Sequence, residues 1–388
     1  MMSVLIIKRT SYMNTSINSP DISPPAFVDE MIDSSYRIGA SDIHIDPRKD
    51  TILIRFRVDG VLERYREIPA VMLPELVARV KVLAGLRTDV HMTPHDGRFC
   101  IERGEYSCDV RVSILPTQFG ENIVLRLLPK AGRNDSLEAL GFSHEHIALI
   151  REVVARPQGM ILVTGPTGAG KTSTQYGLVS ETDPTSQVVI TLEDPIEYAL
   201  SDVRQVAIRE KYSLTFPTGL RSILRQDPDV IMVGEMRDTE TARIAVNAAL
   251  TGHLLISTLH TNTALDTIPR LIDMGIEPYL IASTLTLIIG QRLARRVCDR
   301  CGGRVGEVGG SAGQKACEAC LGKGYRGRII ISEVIPIDEK MRSYILRKIS
   351  RDDMEKYVRS IGVPSLRDDG FVKADRGLTT VEEVLRVI

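Results

Sequence analysis

Residues 165–172 read Gly-Pro-Thr-Gly-Ala-Gly-Lys-Thr, the segment of this chain whose types and spacing say most about chemistry. They satisfy G-x-x-x-x-G-K-[ST], a loop in which glycines let backbone N–H groups turn toward phosphate oxygens. A helix N-terminus just beyond adds positive potential. Gly165, Pro166, Thr167, Gly168, Ala169 and Gly170 are expected to form the cradle. Lys171 is expected to reach the β- and γ-phosphates, and Thr172 to ligate Mg²⁺. The context agrees: the short apolar run MILVT precedes the loop and the helix-compatible TSTQYGLVSE follows it. A plain glycine-rich turn is the competing reading, and eight matching positions weigh against it. The expected ligand is a nucleoside triphosphate, ATP.

Carboxylates follow in order. In VVITLEDPIEYAL, Glu193 and Asp194 close an apolar run, at the strand end where open α/β sheets bind ligands. There they can hold Mg²⁺ through water or orient the attacking water. In DVIMVGEMRD, Glu235 ends a second apolar run and is the expected general base. Gly234 stands where the usual nucleotidase scheme has an aspartate on the metal, so that carboxylate is expected from Glu193 or Asp194. TGHLLISTLHTN places His253 and His260 at the two ends of a third apolar run, with Thr261 and Asn262 beyond. Together the histidines are expected to sense phosphate as hydrogen-bond donors. Each of these residues alone reads equally as an ordinary polar residue at a strand end. Their succession after the phosphate loop favours the chemical reading.

Cys298, Cys301, Cys317 and Cys320 form two C-x₂-C pairs with 15 residues between them. That spacing is typical of a structural zinc site in which four thiolates leave no open position. Cys100 and Cys108 lie on candidate strands and are expected to be buried apolar residues. The basic segment KGYRGR, 323–328, would suit nucleic acid, but a solvated turn is the simpler account.

The composition bounds these readings. The chain has 388 residues, 43% hydrophobic and 26% charged, which suits two or three globular domains. Lys plus Arg number 49 against 50 Asp plus Glu, a net charge of −1, so no basic excess points to nucleic acid. Trp is absent and aromatics reach 5%, leaving few platforms for stacking bases. No uninterrupted apolar stretch approaches the roughly 20 residues of a membrane span. The VLII run before Lys8 is too short for a signal peptide. A cytoplasmic protein, peripheral at most to a membrane, is expected.

The elements that must position these residues fall into two blocks. Residues 1–22 read as a flexible lead and 23–129 as a mixed α+β domain, with strand-like runs ASDIHID and TILIRFRVDGVLERY and a hairpin around Arg103 and Gly104. Residues 130–142 read as a linker. From 143 to 388, helices alternate with nearly continuous apolar runs (MILVT, QVVITL, VIMVG, LLISTL), the signature of a parallel sheet covered on both faces. The fold class is α/β: a RecA-like P-loop core behind an N-terminal α+β domain. The zinc-binding insert, 297–327, and an α-rich tail, 338–388, are grouped with the core.

The ordered set ASDIHIDP, HDGRF, GPTGAGKT, LEDPIEY, LRQDPDVIMVGEMRD, TGHLLISTLHTN, the two cysteine pairs and SLRDDG…GLTTVEEVLRV resembles secretion and pilus-assembly ATPases, over roughly residues 25–388. These are the type II secretion ATPases and the type IV pilus extension motors. The resemblance implies a homo-hexamer of two-domain subunits. It implies arginines approaching the nucleotide from the first domain at Arg98 and Arg111, and an acidic box at Glu193, Asp194 and Glu197. It further implies Glu235 as the catalytic glutamate, a histidine box at His253 and His260, and an inner-membrane platform protein as partner. Work would come from swings of the first domain on ATP binding and hydrolysis. Two departures stand out. Only about 25 residues precede the resemblance, where most of the group carries a docking domain, so a short form is expected. His95 replaces the usual glutamine before Asp96. Retraction motors of the superfamily usually lack the cysteine pairs, which favours assembly. The alternatives are a nucleic-acid motor with a zinc ribbon, a retraction motor, and a nucleotide-gated scaffold with an inactive site.

Overall fold

The computed structural model describes residues 23–103, 106–129, 135–304 and 317–388. The expected lead, the tip of the Arg103–Gly104 hairpin, the start of the linker and the middle of the cysteine insert lie outside them. The chain divides into two compact units. One contains the residues up to 133 together with 297–327, and the other contains 134–296 and 328–388.

In the first unit the order is α1 (Pro24–Arg37), β1 (Ala40–Pro47), β2 (Thr51–Val58), β3 (Val61–Pro69), α2 (Leu73–Leu83), β4 (His95–Arg103), β5 (Tyr106–Thr117) and β6 (Gly120–Pro129). The strands form one antiparallel sheet in the order β3-β2-β1-β6-β5-β4. Alternation decides its faces. Ile43, Ile45, Ile54, Phe56, Val110, Val112, Ile123 and Leu125 are buried with Met31, Ile32, Leu76 and Val80 of α1 and α2, while the intervening residues are largely polar. The second run read from the sequence is in fact two strands. Asp59 and Gly60, at φ 50° and 83°, make a two-residue turn whose twist suits a hairpin.

The second unit begins with α3 (Leu137–Leu140) and α4 (His144–Val154), so the later part of the expected linker is a helix with Leu137 fully buried. There follow β7 (Gly159–Thr164), α5 (Lys171–Ser180), β8 (Val189–Glu193), β9 (Arg204–Ala207), α6 (Phe216–Ile223), β10 (Val230–Val233), α7 (Thr239–Leu250), β11 (Leu254–Leu259), α8 (Thr267–Asp273) and α9 (Pro278–Thr284). Two long strands, β12 (Leu285–Val297) and β13 (Tyr325–Pro336), flank the cysteine segment, and α10 (Glu339–Leu346), α11 (Arg351–Ser360), α12 (Leu366–Asp375) and α13 (Val381–Val387) complete the chain. The sheet order is β13-β12-β7-β11-β10-β8-β9, parallel from β12 to β9. Every residue of β7, β8, β10 and β11 is buried, which explains why these strands are continuous apolar runs without alternation. The cysteine segment groups with the first unit, although the sequence order places it within the second. Contacts with the first unit include Lys323 to Glu63 at 2.6 Å and the Gly327 N–H to Asp59 at 2.9 Å.

Candidate nucleotide site and cysteine cluster

Parallel register gathers the candidate residues. Thr164 is level with Leu259, and Val233 is level with both Leu192 and Ser257. The carboxyl ends of β7, β8, β10 and β11 therefore share one edge, and the segments leaving them meet there.

The phosphate loop runs from β7 into α5. Gly165 lies so close to the next strand that a Cβ would come within 2.6 Å of the Gln291 carbonyl oxygen. Gly170 caps α5 at φ 87°, a left-handed conformation that favours glycine. Buried Gln291 of β12 pins the loop: its Nε2 donates to Ala169 O at 2.8 Å, and its Oε1 accepts from Thr174 at 2.8 Å. Lys171 donates to the carbonyls of Gly165 and Pro166 at 2.9 and 3.1 Å, and burial holds its pKa below the usual lysine range. Thr172 is exposed at the mouth.

Glu235 follows β10. Burial pushes its carboxyl up, but Arg237 at 2.6 Å and His260 at 3.2 Å outweigh this and hold it below the usual range. It is therefore ionised at neutral pH, as a proton acceptor must be. His260 also comes within 3.5 Å of Lys171 through Nδ1, and so lies between the loop lysine and the glutamate.

His253 is elsewhere. It precedes β11, and the seven steps from it to His260 span about 23 Å at ~3.3 Å per residue. Its Nδ1 lies 2.9 Å from Ala248 O, where it closes the end of α7. The pairing of the two histidines at one phosphate is corrected: within this chain only His260 stands at the loop.

Glu193 also differs from expectation. It is 2% exposed. Oε1 accepts from Thr191 at 2.5 Å and Gln205 at 3.0 Å, and Oε2 accepts from the hydroxyl of Tyr176. With a hydrogen bond on each oxygen, Glu193 braces the acidic segment. Asp194 is exposed and Glu197 half-buried. Thr172, Glu193, Asp194, Glu197 and Glu235 line one small cavity of about 70 Å³. Such hard oxygen donors beside a phosphate loop fit Mg²⁺.

Arg98 and Arg111 are cross-strand partners on β4 and β5, on the polar face of the first unit's sheet. Arg126 continues the row on β6 and is held by Asp42 of β1 at 2.9 Å.

All four Sγ atoms of Cys298, Cys301, Cys317 and Cys320 lie within 4.8 Å of one another. Two cross-pair separations are 4.0 Å (Cys298–Cys317) and 3.6 Å (Cys301–Cys320). A tetrahedron with Zn–S of about 2.3 Å has edges of about 3.8 Å, so the donor set fits that ion. Cys108 is buried as expected, but Cys100 is exposed: on β4 it occupies the polar face.

Sequence reading missed Gln291 and Tyr176. Gln291 carried a usable signal, a lone amide in the apolar run LTLIIGQRL.

The family described as Type II/IV secretion system protein matches residues 21–386. Type II secretion system protein E of Pseudomonas aeruginosa is 44% identical over 374 residues, 93% of this chain and 74% of that protein. The type IV pilus assembly ATPase PilB of Thermus thermophilus is 41% identical over 375 residues, 92% of this chain. The chain spans only 42% of that relative. Among solved structures, the pilus retraction motor PilT with bound ADP superposes with a TM-score of 0.61 at 27% identity, covering 92% of this chain and 95% of that one. The ATPase DotB of Legionella pneumophila shares the fold, with a TM-score of 0.72 at 23% identity over 97% of this chain and 99% of that one. The family match runs over nearly the whole chain and these two relatives exceed 40% identity, so the chain belongs to the type II/IV secretion system protein family.

Proposed function

We propose that this chain is a Mg²⁺-dependent ATPase that works as a homo-hexamer at the cytoplasmic face of the inner membrane, driving assembly of a type II secretion pseudopilus or a type IV pilus. The observation that carries the reading is the meeting of Lys171, Thr172, Glu235 and His260 at one sheet edge, in a chain whose relatives are named secretion and pilus-assembly ATPases. Backbone amides of 165–170 hold the phosphates, and Lys171 exchanges its loop carbonyls for a phosphate oxygen. Bound Mg²⁺ supplies charge neutralisation of the phosphates; Thr172, Asp194 and Glu197 are the residues to hold it. Glu235, ionised, orients water and takes its proton. His260 offers a donor to the γ-phosphate and keeps contact with Glu235. Arg98 and Arg111 are proposed as cations of the kind that hydrolysis at a P-loop site needs. No helix among the described residues is long and apolar enough to cross a membrane; the proposed attachment is through a platform protein. The cysteine cluster is a structural zinc site.

The test is ATP turnover by the purified chain, with its mass in solution measured with and without nucleotide. Mg²⁺-dependent hydrolysis that Lys171→Ala abolishes, by a hexamer, supports the reading. Turnover that survives Lys171→Ala removes it.

A further inference from the structure

α5 begins at the phosphate loop and carries Tyr176 one turn and a half further on. The ring is 1% exposed, yet its hydroxyl is fully engaged. It donates to Glu193 Oε2 and accepts the backbone N–H of Glu197 at 3.2 Å. Burial and the neighbouring Glu193 carboxylate push the phenol above its usual range, so it stays protonated as a donor. The segment it grips, from β8 to β9, has no regular secondary structure. Other ties come from its flanks. Gln205 donates to Glu193 at 3.0 Å and to Tyr198 O at 3.1 Å, and it accepts from Leu200 N–H at 2.8 Å. Tyr198 packs edge-on against Tyr176 at 4.6 Å between centroids. That segment presents Asp194 and Glu197 to the cavity shared with Thr172. One phenol therefore fixes the distance between the carboxylates and the helix that bears the hydroxyl ligand.

We propose that Tyr176 is a positioning residue for the divalent cation: its hydroxyl clamps the acidic segment to α5 and so sets Asp194 and Glu197 against Thr172. The proposal rests on the reading that those side chains hold Mg²⁺ beside the phosphates. A phenylalanine would fill the same volume, so packing alone does not call for the hydroxyl.

The experiment uses the full chain with Tyr176→Phe and reads Mn²⁺ binding to the ADP complex by electron paramagnetic resonance. A Mg²⁺ titration of turnover and ADP affinity in EDTA are measured alongside. Loss of a group that orients metal ligands weakens metal binding by about tenfold. The expected result is that loss for Mn²⁺, a matching rise in the Mg²⁺ midpoint, and unchanged ADP affinity in EDTA. Glu193→Gln, which weakens the same clamp while leaving the ring, should shift Mn²⁺ binding in the same direction. Unchanged Mn²⁺ binding in both variants, or a loss of metal-free ADP affinity that accounts for the whole effect, overturns the proposal. Asp194→Asn and Glu197→Gln separate the two levels. If neither weakens Mn²⁺ binding, the cation reading itself fails. If they do and Tyr176→Phe does not, only the role of Tyr176 fails.

Discussion

The imidazole of His260 stands 3.2 Å from the carboxylate of Glu235, Nε2 to Oε2. The same ring reaches 3.5 Å toward Lys171 through Nδ1, so one exposed side chain touches both the residue proposed to bind phosphate and the residue proposed to activate water. Replacing it with alanine should separate the two functions. We expect turnover by His260→Ala to fall about a hundredfold, the scale of losing a positioned proton-transfer or charge-stabilising group. ADP affinity should stay within about threefold, since the loop amides and Lys171 remain. Single-turnover kinetics with a fluorescent-nucleotide titration decide it; full turnover would make His260 a bystander. His253→Ala, at the far end of β11, should leave turnover near the wild-type level and lower thermal stability instead.

Gln291 anchors the phosphate loop from a neighbouring strand, bonded to Ala169 O and Thr174 Oγ1 at 2.8 Å each. Gln291→Met keeps the volume and removes both bonds, leaving a buried carbonyl without its donor. About 1–3 kcal/mol of stability should be lost. ADP should bind more weakly, by about tenfold, because the cradle is no longer held in its bound shape. Denaturant melts and nucleotide titration of one preparation test both. Unchanged affinity would mean that the loop needs no outside support.

The cysteine cluster should contain one zinc per chain, measurable by elemental analysis. Cys298→Ser, or chelation followed by restoration of Mg²⁺, should release that metal and increase proteolysis within 297–327. ADP affinity should be unaffected. A parallel fall in ADP affinity would show that the second unit depends on the metal as well.

Glu383, in the first turn of α13, ties the last helix to β12. It accepts from Arg295 side chain and backbone and from Arg386 at 2.6 Å. Burial pushes this carboxyl up, but the two arginines outweigh it and hold it at about 2, against about 4.5 when unfolded. A lowered folded value means that its stabilisation is complete above about pH 4.5 and fades as pH falls toward about 2. Glu383→Gln should therefore cost about 2 kcal/mol at pH 7, the price of leaving a nearly buried cation without its partner. The gap from wild type should close below about pH 4.5. A gap independent of pH between 7 and 3.5 would assign the effect to packing.

Some of this molecule was legible before any fold was known. The phosphate loop is contiguous, so its glycines, Lys171 and Thr172 announce their geometry locally. The cysteine pairs do so through spacing, and the buried parallel strands through unbroken apolar runs, because burial on both faces removes alternation. Register decided the rest. Only the pairing of β7, β11, β10 and β8 shows that His260 reaches Glu235 and Lys171 while His253 lies a strand length away. Only the meeting of Tyr176 of α5 with Glu193 of β8 shows that Glu193 is held by Tyr176, Thr191 and Gln205, while it lines the cavity together with Asp194 and Glu197. The first unit repeats the lesson: Cys100 and Cys108 look alike in sequence, but β4 and β5 turn one outward and the other into the core. A residue's type and neighbours fix what chemistry it can perform. Which groups it meets depends on strand order and side-chain direction, and these are settled by hydrophobic packing over the whole sheet.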